Sequence, residues 1–142
     1  MTDQIKLLPE IKKLWVDALR SGLYKQGHND LLDAEGGHCC LGVLVSELGN
    51  GIIRPKDNAD SYCSVVLHDG ETVDSGGGVL PRELLPQIYG QVDSNRSLQV
   101  HMNPSVKLRD ADGYAIEYML SELNDALKFT FNQIADVIEE QL

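Results

Sequence analysis

Residues 129–140 read Phe129-Thr130-Phe131-Asn132-Gln133-Ile134-Ala135-Asp136-Val137-Ile138-Glu139-Glu140. This stretch specifies a helix and its start. Thr130 is an N-cap with Gln133 three residues on, which makes a capping box, and Phe129 and Ile134 stand at the two positions of a hydrophobic staple. Ile134, Ala135, Val137 and Ile138 then recur at helical spacing and form one apolar face. A face of that kind needs a partner. The other end of the chain offers one: Leu7, Leu8, Ile11, Leu14, Trp15, Ala18 and Leu19 follow the same three-four spacing. Pro9 suits the first turn of that helix, and Ser21-Gly22 ends it, with Gly22 as the left-handed cap.

Between these helices the pattern changes. A second helix is expected over about residues 39–48, with Leu41, Leu44, Val45 and Leu48 on one face and Gly49-Asn50 as its stop. Residues 23–38 read as a loop with a brief strand at Leu31-Leu32. Tyr62 to Leu67 is rich in strand formers, Asp69-Gly70 is a hairpin signal, and Glu71 to Asp74 would return. Ser75-Gly76-Gly77-Gly78 reads as a loop. A short helix over Arg82 to Tyr89 opens at Pro81 and closes at Gly90. Leu98 to Met102 alternates like a strand, and Val106-Lys107-Leu108 would pair with Tyr114-Ala115-Ile116 around Asp112-Gly113. A further helix is expected from Glu117 to Ala126, with Met119, Leu120 and Leu123 inward. The fold class expected is therefore α+β: one domain over residues 1–142, its N- and C-terminal helices packed on a small, mostly antiparallel sheet.

Composition narrows the function classes. The chain has 142 residues and a net charge of −10. That charge disfavours binding to DNA or RNA, which needs Lys and Arg to displace counterions. No apolar run approaches the ~18 residues of a membrane span, and the opening residues lack a signal-peptide layout, so a cytoplasmic protein is expected. The three cysteines, Cys39, Cys40 and Cys63, are odd in number and two are adjacent. Reduced, buried thiols are the expectation, and a disulfide framework is not.

Several constellations carry possible chemistry. Cys39-Cys40 lies at a helix start beside His38, where a thiol could be activated with His101 or His68 as base. Structural packing is the commoner use of such cysteines, and a cysteine hydrolase is the least favoured reading. A zinc site from His28, His38, Cys63, His68 and the cysteine pair lacks paired C-x-x-C spacing. Asp110-Ala111-Asp112-Gly113 fails the calcium-loop pattern, because Leu108 and Met119 occupy ligand positions; a hairpin turn is expected instead. The scarce cations Arg54, Lys56, Arg82, Arg96 and Arg109 flank loops near the Gly-rich middle. Convergence of Arg54, Lys56, Arg82 and Arg109 around Gly77 would make a pocket for phosphate or carboxylate groups, with Tyr62, Tyr89 or Tyr114 available to stack a base. No cofactor is implied.

The blocks at the two ends also carry a resemblance. Trp15, Ala18, Leu19, Ser21, Gly22, Tyr24 and Gln26 form W-x-x-A-L-x-S-G-x-Y-x-Q, Cys39 to Leu44 form C-C-L-G-V-L, Leu123-Asn124-Asp125 form L-N-D, and Phe131, Ile134, Ala135, Asp136 and Ile138 form F-x-x-I-A-D-x-I. In these blocks the chain resembles a family of small, mostly uncharacterised proteins of tailed bacteriophages and prophages. Val45 stands where members often carry a further cysteine, and Ala126-Leu127-Lys128 fills a gap where members commonly have a glycine. The resemblance implies an accessory phage protein in the bacterial host cytoplasm and carries over no site residues. Together these readings lead to a non-enzymatic, oligomeric anti-defence protein that sequesters a small anionic, nucleotide-type host immune signal. The alternative is an acidic protein-interaction module that inhibits a host protein.

Overall fold

The structure is a computed structural model and describes residues 7–28, 30–33, 35–49, 51–53, 63–67, 69–75, 80–90 and 103–142. Its elements run α1 (Pro9–Arg20), α2 (Cys40–Leu48), β1 (Ile52–Ile53), β2 (Cys63–Val66), β3 (Thr72–Ser75), a 3₁₀ turn (Arg82–Leu84) continuing into α3 (Leu85–Tyr89), β4 (Ser105–Arg109), β5 (Ala115–Met119), α4 (Leu120–Asp125) and α5 (Phe131–Gln141). The fold is a small α+β domain. The Leu98–Met102 strand expectation lies outside the described residues.

The helix that decided the fold class forms as expected. Thr130 accepts from the Gln133 amide at 3.2 Å, and Gln133 Oε1 accepts from the Thr130 amide at 2.8 Å. Phe131, Ile134, Ala135 and Ile138 are buried on α5, which packs along α1. Trp15, Val16, Ala18 and Leu19 are buried on α1, whereas Leu14, expected in the core stripe, is 36% exposed. On a narrow apolar face, Leu14 falls at the margin, next to Lys13.

The hydrophobic centre is α2. Cys40 to Val45 and Leu48 are all buried, so this helix is apolar nearly all round rather than on the single expected face. Its neighbours cover it from several sides: α1, α4 and the chain at Leu31. Gly42 permits the last of these, because a Cβ there would overlap the Leu31 carbonyl oxygen.

Two small antiparallel sheets stand where one was expected among the described residues. In the first, β2 lies between β1 and β3, with Val65 opposite both Ile52 and Val73. In the second, β4 pairs with β5, with Lys107 opposite Glu117 and Leu108 opposite Ile116. The terminal helices pack chiefly on each other; α1 also packs on α2, and α5 reaches the second sheet through Gln141. The expected helix from Glu117 also changes: Glu117, Tyr118 and Met119 complete β5, and α4 begins at Leu120. Glu122 reaches back to the Met119 amide at 3.0 Å, which supplies the helix start one turn later than periodicity placed it. Met119 is accordingly exposed rather than inward.

Candidate functional site

The blocks at the two chain ends meet in a buried polar knot. Asn124 is fully buried on α4. Its Nδ2 donates to the Gly27 carbonyl and to Asp125 Oδ1, each at 2.8 Å, and its Oδ1 accepts from Gln26 Nε2 at 2.9 Å. Gln26 Nε2 also donates to the Phe129 carbonyl at 2.7 Å. The Gly27 amide donates to the His38 carbonyl, and the His38 amide to the Lys25 carbonyl, both at 2.8 Å. Nearby, Trp15 Nε1 donates to the Cys40 carbonyl at 2.9 Å. The polar side chains of Trp15, Gln26 and Asn124 are thus occupied with holding backbone, which is what buried polar groups must do.

The cysteine pair is buried as well. Cys39 is the N-cap residue of α2, the position that could have activated it. Burial overrides the helix N-terminus and pushes its thiol up to about 12. Burial also holds the Cys40 thiol well above its ordinary range, and Cys40 Sγ lies 3.6 Å from the Leu120 carbonyl. The His38 ring stands edge-on to Tyr24 at 5.0 Å, and burial lowers its pKa against the opposing pull of Asp33. Its Nδ1 is buried with no hydrogen-bond partner among the described residues. His68 and His101, the other expected bases, lie outside the described residues. Among the described residues no cluster of three or more His, Cys, Asp or Glu could hold a metal ion. Asp110–Gly113 is a hairpin turn, with Asp110 Oδ1 accepting from the Asp112 and Tyr114 amides at 2.9 Å.

Of the expected anion-binding residues, Arg54, Lys56 and Gly77 lie outside the described residues, as do Arg96 and Tyr62. Arg82 is exposed on the 3₁₀ turn. Arg109 is exposed at the end of β4, where its Nη1 donates to the Gly113 carbonyl of its own hairpin at 2.8 Å. No hydrogen bond or ion pair links the two among the described residues. Tyr89 is buried and serves the core; Tyr114 is exposed.

Cations converge elsewhere. An open cleft of about 340 Å³ is lined by Pro9, Lys12, Lys13, Val16, Asp17 and Arg20 of α1 and by Glu139 of α5. The six α1 positions follow the three-four spacing of one helix face. Lys13 pairs with Asp17 at 2.8 Å, and Arg20 pairs with both Asp136 and Glu139. Among the described residues Lys12 pairs with no carboxylate. Lys12, Lys13 and Arg20 were not among the residues expected to bind an anion; their three-four spacing on the outer face of the first helix was the signal available. Closure of the cleft by Glu139 was not legible, because that depends on how α5 lies along α1. No helix of the described residues is long and apolar enough to cross a membrane.

A small α+β domain with a buried polar knot and a surface cleft is the class that these features define. The chain belongs to the family described as a domain of unknown function, DUF8296, whose model matches residues 7–142. No curated protein and no solved structure matches the chain.

Proposed function

We propose that the protein is a non-enzymatic phage accessory protein that binds and sequesters a small anionic ligand of nucleotide type, a host immune signal, in the bacterial cytoplasm. The observation that carries this reading is the α1–α5 cleft, where Lys12, Lys13 and Arg20 gather in a chain of net charge −10. A cleft of about 340 Å³ falls at the lower end of small-molecule sites. Lys12 supplies a charge not matched within the described residues, and Arg20 offers a guanidinium that could exchange a surface carboxylate for a ligand oxygen. The non-enzymatic part of the reading is supported by the buried, raised thiols of Cys39 and Cys40. The phage setting rests on the resemblance of the end blocks.

Native mass spectrometry of the full chain, before and after incubation with lysate from defence-activated host cells, tests this reading. The expected result is a retained small molecule, released on denaturation. A Lys12→Glu, Lys13→Glu double variant should lose it, and Arg109→Ala should keep it. An apo mass in both samples, or undiminished retention by the double variant, would refute the cleft as the site. A stoichiometric host protein in the same spectra would favour the acidic inhibitor instead.

A further inference from the structure

The two edges of the β4–β5 hairpin are treated differently by the fold. In this register Asp110 pairs with Tyr114 and Leu120 with Pro104 through backbone hydrogen bonds, so even-numbered residues direct their amides and carbonyls into the hairpin. Odd-numbered residues direct theirs outward. On β4 the central outward residue is covered: Gln141 of α5 accepts from the Lys107 amide and donates to the Lys107 carbonyl, each at 2.7 Å. On β5 the outward residues are Ala115, Glu117 and Met119; the Met119 amide donates to Glu122, and among the described residues no side chain covers the outward groups of Ala115 and Glu117. Both residues are exposed. Open strand edges template pairing with another strand, and folds usually blunt them.

The side chains along this edge are unusual for a surface. Tyr114 is 72% exposed, Ile116 38% and Met119 44%. Tyr114, Ile116 and Tyr118 share one face of the strand, which continues across β4 into Leu108 and the buried Val106.

We propose that β5 is a self-pairing edge, through which two copies dock antiparallel with Ile116 opposite Ile116 of the partner subunit, merging two hairpins into one four-stranded sheet. The occupant is a second copy because the strand is complementary to itself in this register. Ala115 comes opposite the partner's Glu117, so their outward amides and carbonyls bond as pairs on both sides of the two-fold axis. Tyr114 comes opposite the partner's Tyr118, which makes two aromatic cross-strand pairs beside the central Ile116 pair. No like charges face each other, because Glu117 meets an alanine and lies beside Lys107 of its own hairpin. The proposal does not depend on the ligand reading, since the cleft is built from α1 and α5.

Sedimentation velocity on the full chain over a range of concentrations tests it. A concentration-dependent dimer is expected. Ala115→Pro removes an outward amide without touching the β4–β5 ladder, so the hairpin should persist while dimerisation weakens by roughly tenfold or more, two bonds being lost per dimer. Ile116→Lys places two ammonium groups at the axis and should also give monomers; it keeps the test decisive if the proline variant does not fold. Ile116→Cys should form an intersubunit disulfide under mild oxidation, since facing residues of a non-hydrogen-bonded pair lie within disulfide reach, and Cys39, Cys40 and Cys63 are buried. A wild-type monomer at high concentration would overturn the proposal. So would a dimer that survives both Ala115→Pro and Ile116→Lys.

Discussion

Replacing Asn124 by alanine should be among the most damaging single changes of a polar residue in this protein. The substitution removes three hydrogen bonds, to Gln26, Gly27 and Asp125. The bond to Gln26 contributes about 1 kcal/mol net, the half-buried Asp125 can turn to water, and the Gly27 carbonyl loses its donor in a buried setting, an orphan that costs about 1–3 kcal/mol. Gln26 keeps its bond to the Phe129 carbonyl, which limits the loss. A total of about 2–4 kcal/mol follows, against a typical domain stability of about 5–15 kcal/mol. For a chain of this size that corresponds to a fall in Tm of roughly 6–14 °C. Urea unfolding at fixed protein concentration measures it directly, with the single Trp15, buried in the core, as the fluorescent reporter. Asn124→Asp adds a second signature. A carboxylate at this position would be buried beside Asp125, so its pKa in the folded state would be raised. That variant should be weakest at neutral pH and recover as pH falls toward about 4, where a protonated carboxyl can again donate to Gly27. A loss below about 1 kcal/mol for Asn124→Ala, or no acid recovery for Asn124→Asp, would refute the reasoning that this knot joins the chain ends.

Other consequences are equally direct. Lys128 adopts φ 58°, a left-handed conformation, in the gap after Leu123-Asn124-Asp125; Lys128→Gly should raise stability by about 0.5–1 kcal/mol, and an unchanged or lower unfolding midpoint would count against a strained cap. Gly42→Ala would drive a Cβ into the Leu31 carbonyl oxygen and should cost about 3 kcal/mol or prevent folding, whereas Gly22→Ala, with open space at φ 76°, should cost only about 1 kcal/mol; thermal melts of the two variants compare them. The native thiols of Cys39 and Cys40 should alkylate slowly at neutral pH and quickly after unfolding, and fast native labelling would reopen a nucleophilic role. Burial lowers the pKa of His38, so below its unfolded value of about 6.5 the unfolded state binds more protons. Stability should therefore fall as pH drops from about 6.5 through the lowered folded pKa, and His38→Gln should flatten that slope; an opposite slope would refute the assignment.

Local chemistry is what made parts of this fold readable. The Thr130–Gln133 box, the Gly22 cap, the Pro81 opening and the turns at Gly70 and Gly113 depend on residues a few positions apart, and all were legible for that reason. Periodicity also announced α1, α2 and α5, because an apolar face repeats within each helix. The same local reading misplaced the start of α4. Glu117 to Met119 fit either a helix face or a strand, and pairing with β4 decides between them. Arg82 and Arg109 share a charge but no geometry, and charge was all that the sequence disclosed about them.

The remainder belongs to the tertiary structure. That the Cys39 thiol is raised rather than lowered follows from burial under neighbouring elements, which outweighs the helix N-terminus beside it. That Asn124 ties Gln26 and Gly27 to the C-terminal helices follows from contacts across almost a hundred residues of chain. A signal was present, since Asn124 stands four residues after Leu120 on the inward face of α4, but its partners were not. The cleft of Lys12, Lys13 and Arg20 needs α5 laid along α1, and it is the placement of α5 that brings Gln141 to Lys107 of β4 and leaves Ala115 and Glu117 of β5 uncovered among the described residues. Sequence determined which segments would be helices, turns and apolar faces, because those depend on short-range sterics and spacing. Only the folded chain decided which polar groups meet and which stay open, because burial and pairing are properties of residues distant in sequence.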